Sequence, residues 1–347
     1  MKRFYSLKTV AGIVVLIVLF LVGGLESRAA ELKLERFDGG FFSIDKPRGW
    51  NVITAGMCGS FAFLIRDPSQ PLHQIFHFGE VGPVYMSMQQ KQIDYQYMNM
   101  GGYPVNWIEM PVVSPLTPDN FLTQFHLIAR TGIAQNFMPQ CPKLDNLQVI
   151  SSIPQQSPIG GATTGLLRAL FTEGQHLGEG LFLVTVAPLL PFNGGPGAGI
   201  AYGFLVTGIT APKKEFRDIE RILTRSIQSY TVHQSYVNNC LQQQASTYSG
   251  ILKAGKTLSE SSDIIMQGWE NRNKSDDILA ERRSDAILEK ERLYDPDTGD
   301  VYEFKSGFYD KYKLEQNRYE MNNLQALPRN NYDLWMKAPL DGYEHLK

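Results

Sequence analysis

Residues 206–230 read VTGITAPKKEFRDIERILTRSIQSY, a strand that passes into a helix at a single proline. The first six residues are uncharged and rich in β-branched types, as strands are. From Pro212 the apolar positions change to Phe216, Ile219, Leu223 and Ile227, the spacing of a helix with one face turned to a core. Upstream, LQVISSI (147–153), GLLRALFT (165–172), GLFLVTVAPL (180–189) and IAYGFLVTGIT (200–210) are four strands joined by short turns and one glycine-rich loop, NGGPGAGI (193–200). Earlier still, FFSIDKPRGWNV (41–52) gives a strand, a Pro/Gly turn and a second strand that begins at Trp50. FAFLIRDP (61–68) and QIFHFGEV (74–81) add two more. Between these groups lies SPLTPDNFLTQFHLIARTG (114–132), which predicts a helix. Thr117 fits the N-cap, Pro118 the first turn and Asp119 the positive end of the dipole. Phe121, Phe125 and Ile128 share one face, and Gly132 closes the helix. Hairpins in succession with helices between them give an α+β fold. Its mainly antiparallel sheet is covered by helices on at least one face.

Charge divides the rest of the chain. Residues 101–212 contain only eight charged side chains, whereas 213–320 contain thirty-six. The second stretch reads as a helical extension, with a narrow stripe of Ile264, Ile265, Trp269, Ile278, Leu279, Ala286 and Ile287 that suits a helix lying across the first domain. At the other end, MKRFYSLK is a basic start, and Val10–Leu25 is apolar for sixteen residues. That run spans about 24 Å as a helix, short of a hydrocarbon core of roughly 30 Å. Ser27-Arg28-Ala29 offers small residues at the positions a signal peptidase accepts. Cleavage after Ala29 is expected, with Ala30 as the neighbouring site and an uncleaved anchor as the alternative. The expected plan is a signal peptide at 1–29, an α+β domain at 30–240 and a helical, charged extension with a β-hairpin and an aromatic tail at 241–347. The polar stretch Leu241–Gly250 joins the last two.

The opening FxIxxPxGW, here Phe42, Ile44, Pro47, Gly49 and Trp50, resembles the start of the PsbP/Mog1-like fold. The strand-to-helix close at 206–230 resembles its end, so the resemblance covers about residues 36–232. It implies a binding or assembly protein without catalytic residues. WENR (269–272), SDAIL (284–288) and YDPDTGDVYEFKSGFYDKY (294–312) resemble the tails of exported bacterial proteins of unknown function. The long glycine-rich loop departs from the compact PsbP pattern.

Few residues announce chemistry. Asp295-Pro296-Asp297-Thr298-Gly299-Asp300 has the acidity of a calcium loop. Counted from Asp295, however, position 6 is Asp300 and position 12 is Ser306, where an EF-hand needs Gly and Glu. The segment reads as a hairpin turn, with Pro296 fixing φ and Gly299 taking φ > 0. His73 and His77 are four apart and would share a strand face. They form a metal candidate without a third ligand, since Glu80 has the other parity. NGGPGAGI lacks the strand–helix frame of a phosphate cradle. There is no G-x-S-x-G motif.

Three cysteines in an exported chain allow one bridge and one thiol. Cys58 and Cys141 both lie in turn-like stretches, and their pairing is favoured. It would close 84 residues and contribute about 4–5 kcal/mol in the chain-entropy view. Cys141–Cys240 and an all-reduced state are the alternatives. In the tail, Tyr309, Tyr312, Tyr332 and Trp335 are candidate contact residues. They dock either on the first domain's own sheet or on a partner.

Removing Lys2, Arg3, Lys8, Glu26 and Arg28 takes the formal charge from −2 to −5. A mildly acidic chain without a basic run gives no footprint for nucleic acid or anionic lipid. No cofactor motif is present, and no catalytic residue can be named. The expectation is an exported, periplasmic or extracellular binding or scaffolding protein, with an envelope protein as its possible partner and no stable anchor once the leader is removed. A small-ligand or metal carrier, or a hydrolase with a scattered site, are the alternatives.

Overall fold

A computed structural model describes residues 32–345 except 158, 191–194, 245–253 and 322. The leader at 1–29 and most of the polar join at 241–250 lie outside the described residues. The architecture below is that of the unit Leu34–Lys347.

A seven-stranded sheet is the centre of the fold. It is built from β3 (Asn51–Ala55), β4 (Ala62–Arg66), β5 (Gln74–Tyr85), β6 (Asp145–Gln155), β7 (Thr163–Glu173), β8 (His176–Leu190) and β9 (Ile200–Pro212). The order is β3-β4-β5-β9-β8-β7-β6, and every pair is antiparallel. A small sheet of β1 (Leu34–Asp38), β2 (Phe42–Pro47) and β10 (Thr231–Val232) lies beside it in the topology. The α+β class read from the sequence holds.

Helices cover both faces. On one face, Phe76, Phe78, Leu167, Phe171, Phe182 and Val184 meet Phe121, Leu122, Phe125 and Ile128 in one core. These four come from α2 (Pro118–Thr123) and α3 (Phe125–Ile128), which are followed by α4 (Gly132–Phe137); α1 is Met88–Asn99. Thr117 caps α2 by accepting from the Asn120 amide at 3.2 Å. The single helix expected over 117–132 is instead three short ones. Thr131 donates to the Ile128 carbonyl and accepts from the Ala134 amide, so it ends one helix and starts the next. Gly132 therefore opens α4 and closes nothing.

On the other face lies α5 (Lys213–Gln228), with Phe216, Ile219, Leu223 and Ile227 buried as their spacing requires. Beside it are α6 (Gln234–Gln244), α7 (Ala254–Glu270) and α8 (Arg272–Ile287). Trp269 of α7 is fully buried, and its indole N–H donates to Thr207 of β9 at 3.3 Å. Gly268 next to it lies so close to Leu183 that a Cβ would come within 2.6 Å of that side chain. With both faces covered, the central strands bury both sets of side chains, which explains why 180–210 is nearly continuous apolar sequence.

Edge strand β6 is sealed by the extension. Arg282 of α8 donates to the Ile150 carbonyl at 2.6 Å, and Arg329 donates to that of Val149 at 2.7 Å. The Ser152 amide donates in turn to the Arg329 carbonyl.

The hairpin reading of 290–305 holds. Strands β11 (Lys290–Tyr294) and β12 (Val301–Lys305) pair antiparallel, with β13 (Gln325–Ala326) and β14 (Leu340–Asp341) on the flanks. Gly299 takes φ +72° at the turn, where only glycine is free of strain. α9 (Phe308–Leu314) and α10 (Tyr332–Met336) complete the tail.

Candidate functional site

The one charged residue in the apolar run GLLRALFT is Arg168. Strand parity puts Leu167 and Ala169 into the core beneath α2 and sends Arg168 to the opposite face, under α5 and α8. It is only 3% exposed. A buried guanidinium needs acceptors, and three carboxylates supply them. Glu179 of β8 accepts from Nη1 at 2.6 Å, Glu220 of α5 accepts from Nη2 at 2.8 Å, and Asp276 of α8 also accepts from Nη2. Its planar head also lies over the Phe216 ring at 5.3 Å. Burial works against the charge of Arg168. Glu220, Asp276 and Glu179 outweigh it and raise the guanidinium pKa. For Glu220 burial is the larger effect, and its carboxyl is held above the usual carboxylate range despite Arg168.

Above this floor opens a cleft of about 280 Å³ between α5 and α8. Arg217 and Arg221 stand one turn apart on α5, with Glu220 between them. Arg272, Asp276, Leu279, Ala280 and Arg283 follow at helical spacing along α8. Five arginines therefore face two carboxylates across one small space. Among the described residues, Arg217, Arg221 and Arg283 have no ion-pair partner. The excess of positive charge is local, because the chain as a whole carries −2. Guanidinium forks in a recess suit a carboxylate or phosphate, which they can grip with two parallel bonds. Two buried atoms of the floor have no hydrogen-bond partner: Nε of Arg168 and Oε1 of Glu220.

The residues singled out in the sequence lie elsewhere. His73 precedes β5 and is not on it, so it shares no strand face with His77. Its ring stacks on Trp50, Nδ1 meets Asp67 at 3.1 Å, and Nε2 meets Glu215 at 3.1 Å. His77 is buried between Phe63 and Tyr230, and burial pushes its pKa down to about 3. The two histidines do not converge. Among the described residues, no group of three or more side chains could hold a metal ion.

The favoured Cys58–Cys141 pairing is overturned. Cys58 is bonded to Cys240, with their Cα atoms 5.5 Å apart. The reason is α6, which folds back after β10 so that Tyr236 accepts from the Cys58 amide at 2.6 Å and Cys240 lands beside it. Cys141 is a partly buried free thiol, its pKa pushed up to about 12 by burial.

The tail aromatics have contacts within the chain. Tyr312 is fully buried, packs with Leu293, Tyr302, Phe304 and Leu324, and accepts from the Leu324 amide at 2.8 Å. Tyr309 packs on the edge of that cluster. Tyr332 donates to Asp277 of α8 at 3.0 Å. Trp335 donates to the Pro328 carbonyl at 3.0 Å and is 8% exposed. Tyr309 and Tyr312 thus pack within the tail's own cluster and not on the large sheet, while Tyr332 reaches α8.

The cleft was missed by sequence reading because its charges resemble a solvated helix face. The one signal available was Arg168, since a lone charge in a strand buried on both faces must be paired.

No protein-family model matches the chain. No curated protein matches it. Among solved structures, the chain is similar with probability 1.00 to the cyanobacterial PsbP (CyanoP) of Synechocystis sp. PCC 6803. That match has 10% identity and a TM-score of 0.26, and covers 59% of this chain and 96% of that one. A crystal structure from Bacteroides thetaiotaomicron VPI-5482 matches at 12% identity and a TM-score of 0.22, over 58% of this chain and 48% of that one.

Proposed function

We propose that this chain is an exported, non-catalytic binding protein whose cleft between α5 and α8 holds an anionic ligand. One observation carries the reading: Arg217, Arg221, Arg272 and Arg283 surround a recess whose floor charge, Arg168, is already paired. The rim charges are therefore available to a ligand. The lining contains no hydroxyl, thiol or imidazole among the described residues, and one oxygen of each of its carboxylates accepts from Arg168. That composition suits holding an anion better than breaking a bond. Its volume lies just below the roughly 300–1,000 Å³ of most ligand pockets, which favours a small molecule.

The test is calorimetric titration of the mature chain with inorganic phosphate and with glutarate, paired with melting curves. Binding should raise the melting temperature by mass action and weaken with salt. The double variant Arg221→Ala/Arg283→Ala should lose at least tenfold in affinity while melting within a few degrees of the parent, since both side chains are exposed and unpaired. Binding that survives the double substitution would overturn the site.

Export is supported by the basic start, the short apolar run, the Ser-x-Ala site and a disulfide, which persists in oxidising compartments. Among the described residues, no helix is long and apolar enough to cross a membrane. Sequencing of the protein from a periplasmic or culture fraction should begin at Ala30. A sequence beginning at Met1 would refute cleavage.

A further inference from the structure

We infer that the anion held by the cleft belongs to an extended acidic segment of a partner protein, one carboxylate entering the recess while its neighbours lie along α5. The inference rests on the anion-binding reading above and begins where the recess ends. Arg217 and Arg221 line the recess, and Lys214 and Arg225 continue the same helix face beyond it at either end. All four side chains are exposed. Asp218 is the one exposed acid beside them. Glu215 turns to His73 at 3.1 Å and meets Lys214 at 3.4 Å. Among the described residues, no carboxylate pairs with Arg217, Arg221 or Arg225.

Like charges four residues apart destabilise a helix. Arg217–Arg221 and Arg221–Arg225 are two such pairs in succession. A face that works against its own helix in this way is complementary to a chain of negative groups outside it. The spacing then selects the kind of chain. Side chains one helical turn apart stand about 5–6 Å apart, and the stripe from Lys214 to Arg225 runs about 16 Å along the axis. In an extended polypeptide, every second side chain shares one face, at intervals of about 6–7 Å. Five or six extended residues with acids at alternate positions therefore follow the stripe from end to end. Arginine clusters are a recurring means of recognising acidic motifs, and each guanidinium grips a carboxylate with two parallel bonds. The recess fixes the register. Arg272 and Arg283 of α8 face Arg217 and Arg221 across it, so a single carboxylate seated there meets arginines from both helices.

The test titrates the mature chain calorimetrically with an acetylated, amidated heptapeptide of alternating glutamate and threonine. Its isomer with all the glutamates in one block, inorganic phosphate and long-chain polyphosphate are the comparisons. The alternating peptide should bind about tenfold more tightly than the blocked isomer and lose affinity more steeply with salt than phosphate does. The double variant Lys214→Ala/Arg225→Ala removes both ends of the stripe and no residue of the recess. It should bind the alternating peptide about tenfold more weakly while holding phosphate within about twofold of the parent. Its melting curve should stay close to the parent's, because both side chains are exposed. Peptide affinity unchanged in the double variant overturns this inference and leaves the recess as a small-anion site. Equal affinity for the two isomers overturns it too, as does binding of polyphosphate without binding of either peptide. Failure of the peptides and phosphate alike overturns the anion site itself. Should the double variant not fold, the two isomers on the parent decide alone.

Discussion

Replacing Arg168 by methionine is expected to destabilise the fold by about 3–5 kcal/mol at pH 7, the scale for removing one partner of a buried ion cluster. Methionine fills much of the same space, so packing is a minor part of the loss. The larger part is that Glu179 and Glu220, both 6% exposed, lose the cation that offsets their burial. The deficit should depend on pH. Burial already raises the Glu220 pKa in the folded state, and the variant removes the opposing pull of Arg168. In the variant, the Glu220 carboxyl then has a folded pKa further above its unfolded value. Its penalty is absent below the unfolded pKa of about 4.3 and grows as pH rises through the folded one. Urea unfolding at pH 7 and pH 5 should therefore show a smaller gap between parent and variant at pH 5. A pH-independent loss would mean that Arg168 acts by packing alone.

Loss of the Cys58–Cys240 bridge should have the second largest effect. The two residues are 182 apart in sequence, so the bridge removes a large loop from the unfolded ensemble, worth about 5 kcal/mol in the chain-entropy view. Measured losses for native bridges run about 2–5 kcal/mol. The double variant Cys58→Ser/Cys240→Ser should fall in that range by chemical unfolding, and Cys141→Ser should change stability far less. Peptide mapping without reductant should recover a linked pair containing Cys58 and Cys240. A linked peptide containing Cys141 would sink the assignment.

The large sheet was legible because its strands obey simple rules. Alternation, β-branched residues and Gly/Pro punctuation located β3–β9 in outline, and the helical spacing after Pro212 found α5. What escaped did so for physical reasons. The buried face of α1 is polar: Gln90 and Asp94 are fully buried, with Asp94 accepting from Tyr85, Gln90 and Gly197. No apolar stripe could announce that helix. The bridge escaped because α6 returns to β3's turn only in three dimensions. The cleft escaped because its arginines come from helices some fifty residues apart and read locally as surface charge. Its floor was visible as Arg168, but the partners that pair it were not.

The guanidinium groups that seal β6 also give the sheet a polarity of growth. An uncovered strand edge is a template for pairing with another chain, and β6 at eleven residues is long enough to recruit one. Arg282 and Arg329 occupy two of its outward carbonyls, and the Arg329 carbonyl occupies one of its amides. The opposite edge, β3, has only five residues. The C-terminal extension thus works as a stopper against fibril-like self-association. A proteolytic nick before Arg329 would remove part of that stopper while leaving every strand of the large sheet in place.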